Sequence, residues 1–483
     1  MDDNVGKKAL KAGTWYTVCT FILKGLSFLT MPIFARIMST EDVGIYSNYI
    51  SWITILTSVF TLDLYTSVNL AHFEYDDDIY GFISTITLFG TGVTAAFYAI
   101  ACIFVDQVTD WLGMSEYMMH IMFLYLLVHP ALSALHVKFR VYLQYKYTII
   151  TSLVPAIASV LVALGLVLIV PEDGQLTARV SGYYGVWILV SAAIYIYVVM
   201  RGRKFKMEYV RFALPIALPM VLHLLSNALL SYSDRVMIKR FCGETDTAYY
   251  ATAYSCAMVI SILWNAMNQA WAPWVYEKLH RGEDKDIGKV SRPIVLIFAG
   301  GVLLLTLMAP ELLLIMGGRK YLPAVYVIPP VMLGYIAQVL YTMYVNIEFY
   351  YKQQKQIMKG TMAAALLNII LNLIFIPIFG YVAAAYTTLV GYIALFFFHY
   401  LFVKKLGKEK IYSLRFNLYV LFGSCALGIS MTFLYDFTIL RWIVVGGVMI
   451  AVFLFVWQRR SELKRCLKKK DIVGILQVCK LMK

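Results

Sequence analysis

Gly13-Thr14-Trp15-Tyr16-Thr17-Val18-Cys19-Thr20-Phe21-Ile22-Leu23-Lys24-Gly25-Leu26-Ser27-Phe28-Leu29-Thr30-Met31-Pro32-Ile33-Phe34 is an apolar run with one charge, at Lys24. At about 1.5 Å of rise per residue, a helix of this length crosses a hydrocarbon core of about 30 Å. Lys7, Lys8 and Lys11 precede it. The run is longer than the apolar core of a cleavable signal peptide, about 7–15 residues, so it reads as a retained first membrane span.

The rest of the chain repeats this pattern. Of its 483 residues 61% are apolar and 14% charged, against about half and a quarter in soluble domains. Further apolar stretches fall at 45–70, 81–105, 118–137, 148–170, 178–200, 212–233, 248–272, 293–316, 324–347, 361–379, 381–402, 415–434 and 438–457. The expectation is an all-α polytopic membrane protein with about fourteen transmembrane helices. An even count puts both termini on one side. Segments on that side carry 33 Lys and Arg against 8 on the other, so positive charge marks it as cytoplasmic. The acidic loop His72–Tyr80 does not alter this, because acidic residues contribute little to orientation. The net charge of +14 is thereby explained without a nucleic-acid partner. Residues 459–483 form a basic tail suited to an anionic leaflet. Seven cysteines without a CxxC argue against a disulfide framework or zinc site.

Two halves of the chain echo each other. Arg36 and Tyr46 recur as Arg240 and Tyr250, and Gly113 and Tyr117 as Gly317 and Tyr321, all at an offset of 204. Pro171, Gly174 and Gly185 recur as Pro377, Gly380 and Gly391 at 206. Six spans per repeat is an even number, so the halves share one orientation, as in many secondary transporters. The expected organisation is a six-helix lobe at 1–205, a second at 206–403, an added two-helix unit at 404–458 and the tail.

Polar residues within the spans are the candidates for transport. Gly13, Thr17, Thr20, Lys24 and Ser27 recur at helical spacing and form one polar stripe. Lys24 lies near mid-membrane, where a cation must face protein or water. It could meet an anionic substrate or belong to a buried ion pair. Asp63, at similar depth in the second span, is its natural partner, either as a structural pair or as a switch. On a helical projection Asp63 lies off the Ser51, Thr54, Ser58, Thr61 face. The seventh span holds His223, Asn227 and Asp234, and the eighth holds Asn265, Asn268 and Gln269. These could line a cavity or make interhelical hydrogen bonds. His129 and His136 share a face and read more readily as packed. Arg36, Arg240 and Arg235 suit helix C-termini in the headgroup region, with anion contact as the other reading. There is no GxxxxGK[ST], HExxH or GxSxG, so neither nucleotide hydrolysis nor an enzymatic centre is expected. Energy would come from an ion gradient, the membrane potential or product consumption. No cofactor is expected, and the coupling ion, H+ or Na+, stays open.

Leu23-Lys24-Gly25, Ala35-Arg36-Ile37-Met38-Ser39 and Asp42-Val43-Gly44-Ile45-Tyr46 resemble the opening of the polysaccharide-biosynthesis flippases. Ser233-Asp234-Arg235 resembles their seventh span. Asn368, Asn372, Ile376-Pro377, Gly380 and Ala383-Ala384-Ala385 resemble their eleventh and twelfth. The resemblance places the chain in the multidrug/oligosaccharidyl-lipid/polysaccharide exporter superfamily. It implies a V-shaped pair of lobes around a cationic cavity, alternating access, and flipping of undecaprenyl-pyrophosphate-linked oligosaccharides in the cell membrane. It implies pyrophosphate contact by Lys24 and shelter of the lipid tail by the last two spans. Polysaccharide polymerase and glycosyltransferases would be the partner proteins, beside membrane lipids. An ion-coupled exporter of cationic drugs and a peptidoglycan-precursor flippase are the alternatives. A drug pump would want acidic cavity residues, of which Asp63 is the main one.

Overall fold

The computed structural model describes residues 3–458, and every regular element in them is helical. The basic tail at 459–483 lies outside the described residues. The chain runs through α1 (Asp3–Ile37), α2 (Thr40–Phe60), α3 (Val68–Glu74), α4 (Ile79–Ile103), α5 (Val105–Leu112), α6 (Glu116–Val141), α7 (Tyr145–Ile169), α8 (Gln175–Gly202) and α9 (Met207–Cys242). It continues through α10 (Glu244–His280), α11 (Asp284–Leu307), α12 (Ala309–Met316), α13 (Ile328–Tyr350), α14 (Gln354–Phe379), α15 (Tyr381–Lys405), α16 (Leu414–Ser430) and α17 (Thr438–Gln458).

Every expected span lies on helical chain, but the second, 45–70, is broken after Phe60 and the ninth, 293–316, is divided between α11 and α12. Among the described residues, twelve helices are long and apolar enough to cross a membrane. The expected eighth span lies in α10, whose tyrosines, serines and asparagines dilute its hydropathy. The fourteenth lies in α17, where Thr438–Ile450 is a shorter apolar helix. The repeat is visible as structure. α5 and α12 are both eight-residue helices, each following the third span of its half at the offset of 204. α1 and α9 correspond in the same way, as do the start of α2 and that of α10.

Contacts divide the chain into two compact units, one up to Ala251 and one from Thr252. In the first unit, Ser39 caps α2 by accepting from the Asp42 N–H at 3.0 Å, with Glu41 and Asp42 in the first turn. Tyr49, Trp52, Met119, Met122, Phe123 and Tyr184 form its core. Because lipid competes equally for apolar side chains, helix contact here depends on close packing and buried polar bonds. Gly182 of α8 shows the first: a Cβ there would come within 2.5 Å of the Ala163 Cα on α7. Asn48 of α2 shows the second, donating to the Leu112 carbonyl at the end of α5 at 2.7 Å. Gly44 lets the start of α2 lie against that of α10, where any side chain would overlap the Glu244 backbone. α9 packs on α2 and α4 within this unit.

In the second unit α13 is enclosed by α11, α15 and α16. The final helix pair is fastened to this unit. Gly428 of α16 lies on Leu333 of α13. Tyr435 donates to the Thr306 carbonyl at 2.8 Å, and Arg441 of α17 to Glu311 of α12 at 2.5 Å.

Candidate translocation site

α1 has two unlike faces. Ala12, Cys19, Phe34 and Ala35 are buried, and Tyr16 donates to the Phe139 carbonyl at 3.2 Å. Gly13, Thr17, Thr20, Lys24 and Ser27 are all exposed. Thr17 and Thr20 turn their hydroxyls back onto helix carbonyls. The first unit thus leaves all five stripe residues uncovered, with Lys24 in the middle, and it leaves the apolar Trp15, Phe21, Ile22 and Leu29 of the same helix uncovered as well.

The expected Lys24–Asp63 pair does not form. Asp63 is 1% exposed, and its Oδ2 has no hydrogen-bond partner. The reason is a helix break. α2 stops at Phe60, and Leu62 and Asp63 take left-handed φ values of 51° and 43°. A 3-10 turn over Leu64–Ser67 then leads into α3. Thr94 of α4 donates to the freed Phe60 carbonyl at 3.2 Å, and Thr66 to that of Asp63 at 2.9 Å. The break swings the carboxyl into a cavity of about 450 Å³ that Thr54, Thr57 and Ser58 share. A projection of an unbroken helix put Asp63 off that face; the bend brings it back.

Across this cavity stand Asn227, Ser231 and Tyr232 of α9 and Tyr125 of α6. Asn227 and His223 are hydrogen-bonded at 3.1 Å. The structure thus brings Asp63 and Asn227 together, with His223 one turn away. Asp234 is buried and accepts from Tyr250, the repeat tyrosine, at 2.5 Å. Arg235 donates to the Ser231 carbonyl at 3.2 Å and lies 5.2 Å from the Tyr232 ring centre. Arg36 and Arg240 are exposed at the ends of α1 and α9, matching their repeat positions. His129 stacks on Tyr125, and His136 is hydrogen-bonded to Thr151 at 2.8 Å. In the second unit Asn268 accepts from Asn346 at 2.8 Å, and Asn265 donates to Ser261.

The sequence reading passed over several polar groups. Tyr65, Tyr125 and Tyr232 line the cavity, but tyrosines in apolar spans read as packing. Arg179 of α8 is buried against Phe34 and Tyr46. Glu348 of α13 and His399 of α15 form a fully buried pair at 2.8 Å in the second unit. Ionisable residues inside apolar stretches were the available signal. Asn368, Asn372, Thr387 and Thr388 form one buried network between α14 and α15, which gives the two asparagines a structural use.

The family model described as polysaccharide biosynthesis protein matches residues 9–278, more than half of the chain. The chain belongs to the polysaccharide biosynthesis protein family. Two relatives match this family member at length. Lsg locus putative protein 1 of Haemophilus influenzae is 21% identical over 383 residues, covering 75% of this chain and 90% of its own. An uncharacterized membrane protein of Methanocaldococcus jannaschii is 21% identical over 486 residues, covering 93% and 94%. Among solved structures, the lipid II flippase MurJ in an inward closed conformation matches with a TM-score of 0.68 at 13% identity, covering 91% of this chain and 98% of that one. An inward-facing multidrug resistance MATE family transporter of the MOP superfamily matches with 0.56 at 12%, covering 80% and 96%. At these identities the two structures establish the polytopic membrane fold and no more.

Proposed function

We propose that this protein is a flippase in the cell membrane, with both termini cytoplasmic. It moves an undecaprenyl-pyrophosphate-linked oligosaccharide from the inner to the outer leaflet for surface polysaccharide assembly. It works by alternating access, without ATP hydrolysis. The observation that carries this reading is the uncovered polar stripe on α1, centred on Lys24, in a member of the polysaccharide biosynthesis family with a flippase-like fold. A polar surface within a span needs water or a polar cargo beside it. A lone cation on it suits a pyrophosphate, while the prenyl tail stays in lipid.

The test is complementation. A strain lacking its own oligosaccharide flippase should regain surface glycan, and stop accumulating the lipid-linked precursor, when this gene is supplied with its matching glycosyltransferases. The same gene placed in cells depleted of their peptidoglycan-precursor flippase, or challenged with cationic drugs, gives the contrasting arms. Rescue in either contrasting arm, without glycan export, would reassign the cargo.

A further inference from the structure

The cavity at the α2 break contains more than a transport wall needs. Its Asp63 is almost completely buried, one carboxylate oxygen has no partner, and no described residue forms an ion pair with it. A buried carboxylate with one oxygen unpartnered and no counter-charge is costly to keep ionised. Two consecutive non-glycine residues in left-handed backbone add strain. The fold does not require this. At the offset of 204 the residues corresponding to Thr61, Leu62 and Asp63 are Asn265, Ala266 and Met267, and there α10 runs unbroken from Glu244 to His280. At this position one repeat has a break and a buried acid; the other has neither.

We infer that Asp63 and the hydroxyls around it form a binding site for a small monovalent cation, a proton or Na+, that neutralises the carboxylate. The donor set fits. Ser58 and Tyr65 flank the carboxyl, and Thr54, Thr57 and the Asn227 amide complete an oxygen-rich wall. Interrupted helices in transporters expose backbone and side-chain oxygens at ion sites in the same manner. No Lys, Arg or His lines the cavity to compete for the acid. The titratable groups that face it are the hydroxyls of Tyr65, Tyr125 and Tyr232. His223 is reached only through Asn227, and Arg140 of α6 acts on the Tyr65 hydroxyl. α9, which carries Asn227 and Tyr232, forms the opposite wall, so occupancy and the spacing of α2 from α9 are linked. This deepens the transport reading by giving it a cation to couple, but the binding itself does not depend on which cargo is moved.

The experiment uses the purified full-length protein in lipid nanodiscs, without glycan. Unfolding temperature is followed as NaCl replaces choline chloride at constant ionic strength, for wild type and Asp63→Asn. Infrared difference spectra across a pH titration report the protonated-carboxyl stretch in the same pair. A saturable, Na+-specific rise in unfolding temperature, absent from Asp63→Asn, supports the site as a sodium site. A protonated-carboxyl band at neutral pH that disappears in Asp63→Asn, with no sodium effect, supports it as a proton site. Should Asp63→Asn fail to fold, Ser58→Ala keeps the acid: loss of that hydroxyl should weaken the sodium effect if the site holds Na+, and shift the frequency of the protonated-carboxyl band if it holds a proton; no change in either signal counts against the site. An ionised carboxylate that is indifferent to Na+ overturns the inference. Because no cargo is present, that failure is distinct from failure of the flippase assignment.

Discussion

The guanidinium of Arg179 lies 3.6 Å from the centre of the Tyr46 ring, and 4.1 Å from that of Phe34. Tyr46 closes the opening motif of the first repeat, so the motif secures a buried cation of α8 to α1 and α2. Desolvated cation–π contacts are worth about 2 kcal/mol or more, and a planar guanidinium stacks where an ammonium does not. Arg179→Met, which keeps the apolar stem and removes the cation, should therefore cost about 2 kcal/mol. Thermal unfolding in detergent checks this, and an unchanged midpoint would show that the rings contribute packing alone.

Arg441 and Glu311 make the corresponding fastening in the second unit. Their side chains are 4% and 18% exposed, and the other Glu311 oxygen is already without a partner. Removing one member of a shielded pair costs about 3–5 kcal/mol, whereas replacing both by apolar groups is often neutral. Arg441→Met should thus destabilise the protein strongly, and Arg441→Met with Glu311→Met should recover most of the loss. Limited proteolysis and thermal unfolding of the single and double variants measure it. Equal loss in both would mean that the helix pair is held by something other than the ion pair.

The Lys239–Glu244 ion pair sits at the turn between α9 and α10. The hydrogen bond from Lys239 holds the Glu244 carboxyl below its ordinary pKa of 4.5. A depressed acid stabilises the folded state above its ordinary pKa and loses that contribution as pH falls through the lowered value. The advantage of wild type over Glu244→Gln should be complete at neutral pH and vanish in acid below 4.5. Unfolding midpoints of both proteins across that range decide it; a difference that persists in acid removes the pair as its source.

Much of the architecture could be read from apolar length alone. The run from Gly13 to Phe34 fixes α1, and the offset of Arg36 from Arg240 anticipates the matched helices α1 and α9. The polar stripe was legible because α1 is regular, so residue spacing translates directly into a face. Asp63 was not placed correctly for the converse reason. Its neighbours Thr61 and Leu62 include no glycine or proline to announce a break, and tertiary support from Thr94 holds the left-handed turn. Pairing Lys24 with Asp63 relied on equal depth. Depth fixes position along the membrane normal and leaves direction around each helix undetermined.

Lys24 is the one charge on the exposed stripe of α1, and leaflet exchange of a lipid-linked pyrophosphate tests its role. Purified wild-type protein, Lys24→Ala and Lys24→Arg are reconstituted into liposomes with a fluorescent prenyl-pyrophosphate-linked oligosaccharide, and its leaflet exchange is timed. A charge-assisted contact of about 1.5–3 kcal/mol corresponds to roughly tenfold or more in rate. Lys24→Ala should be slower by that margin, and Lys24→Arg should retain most of the activity. Wild-type exchange in Lys24→Ala, with the protein correctly inserted, would contradict the role given to the cationic stripe.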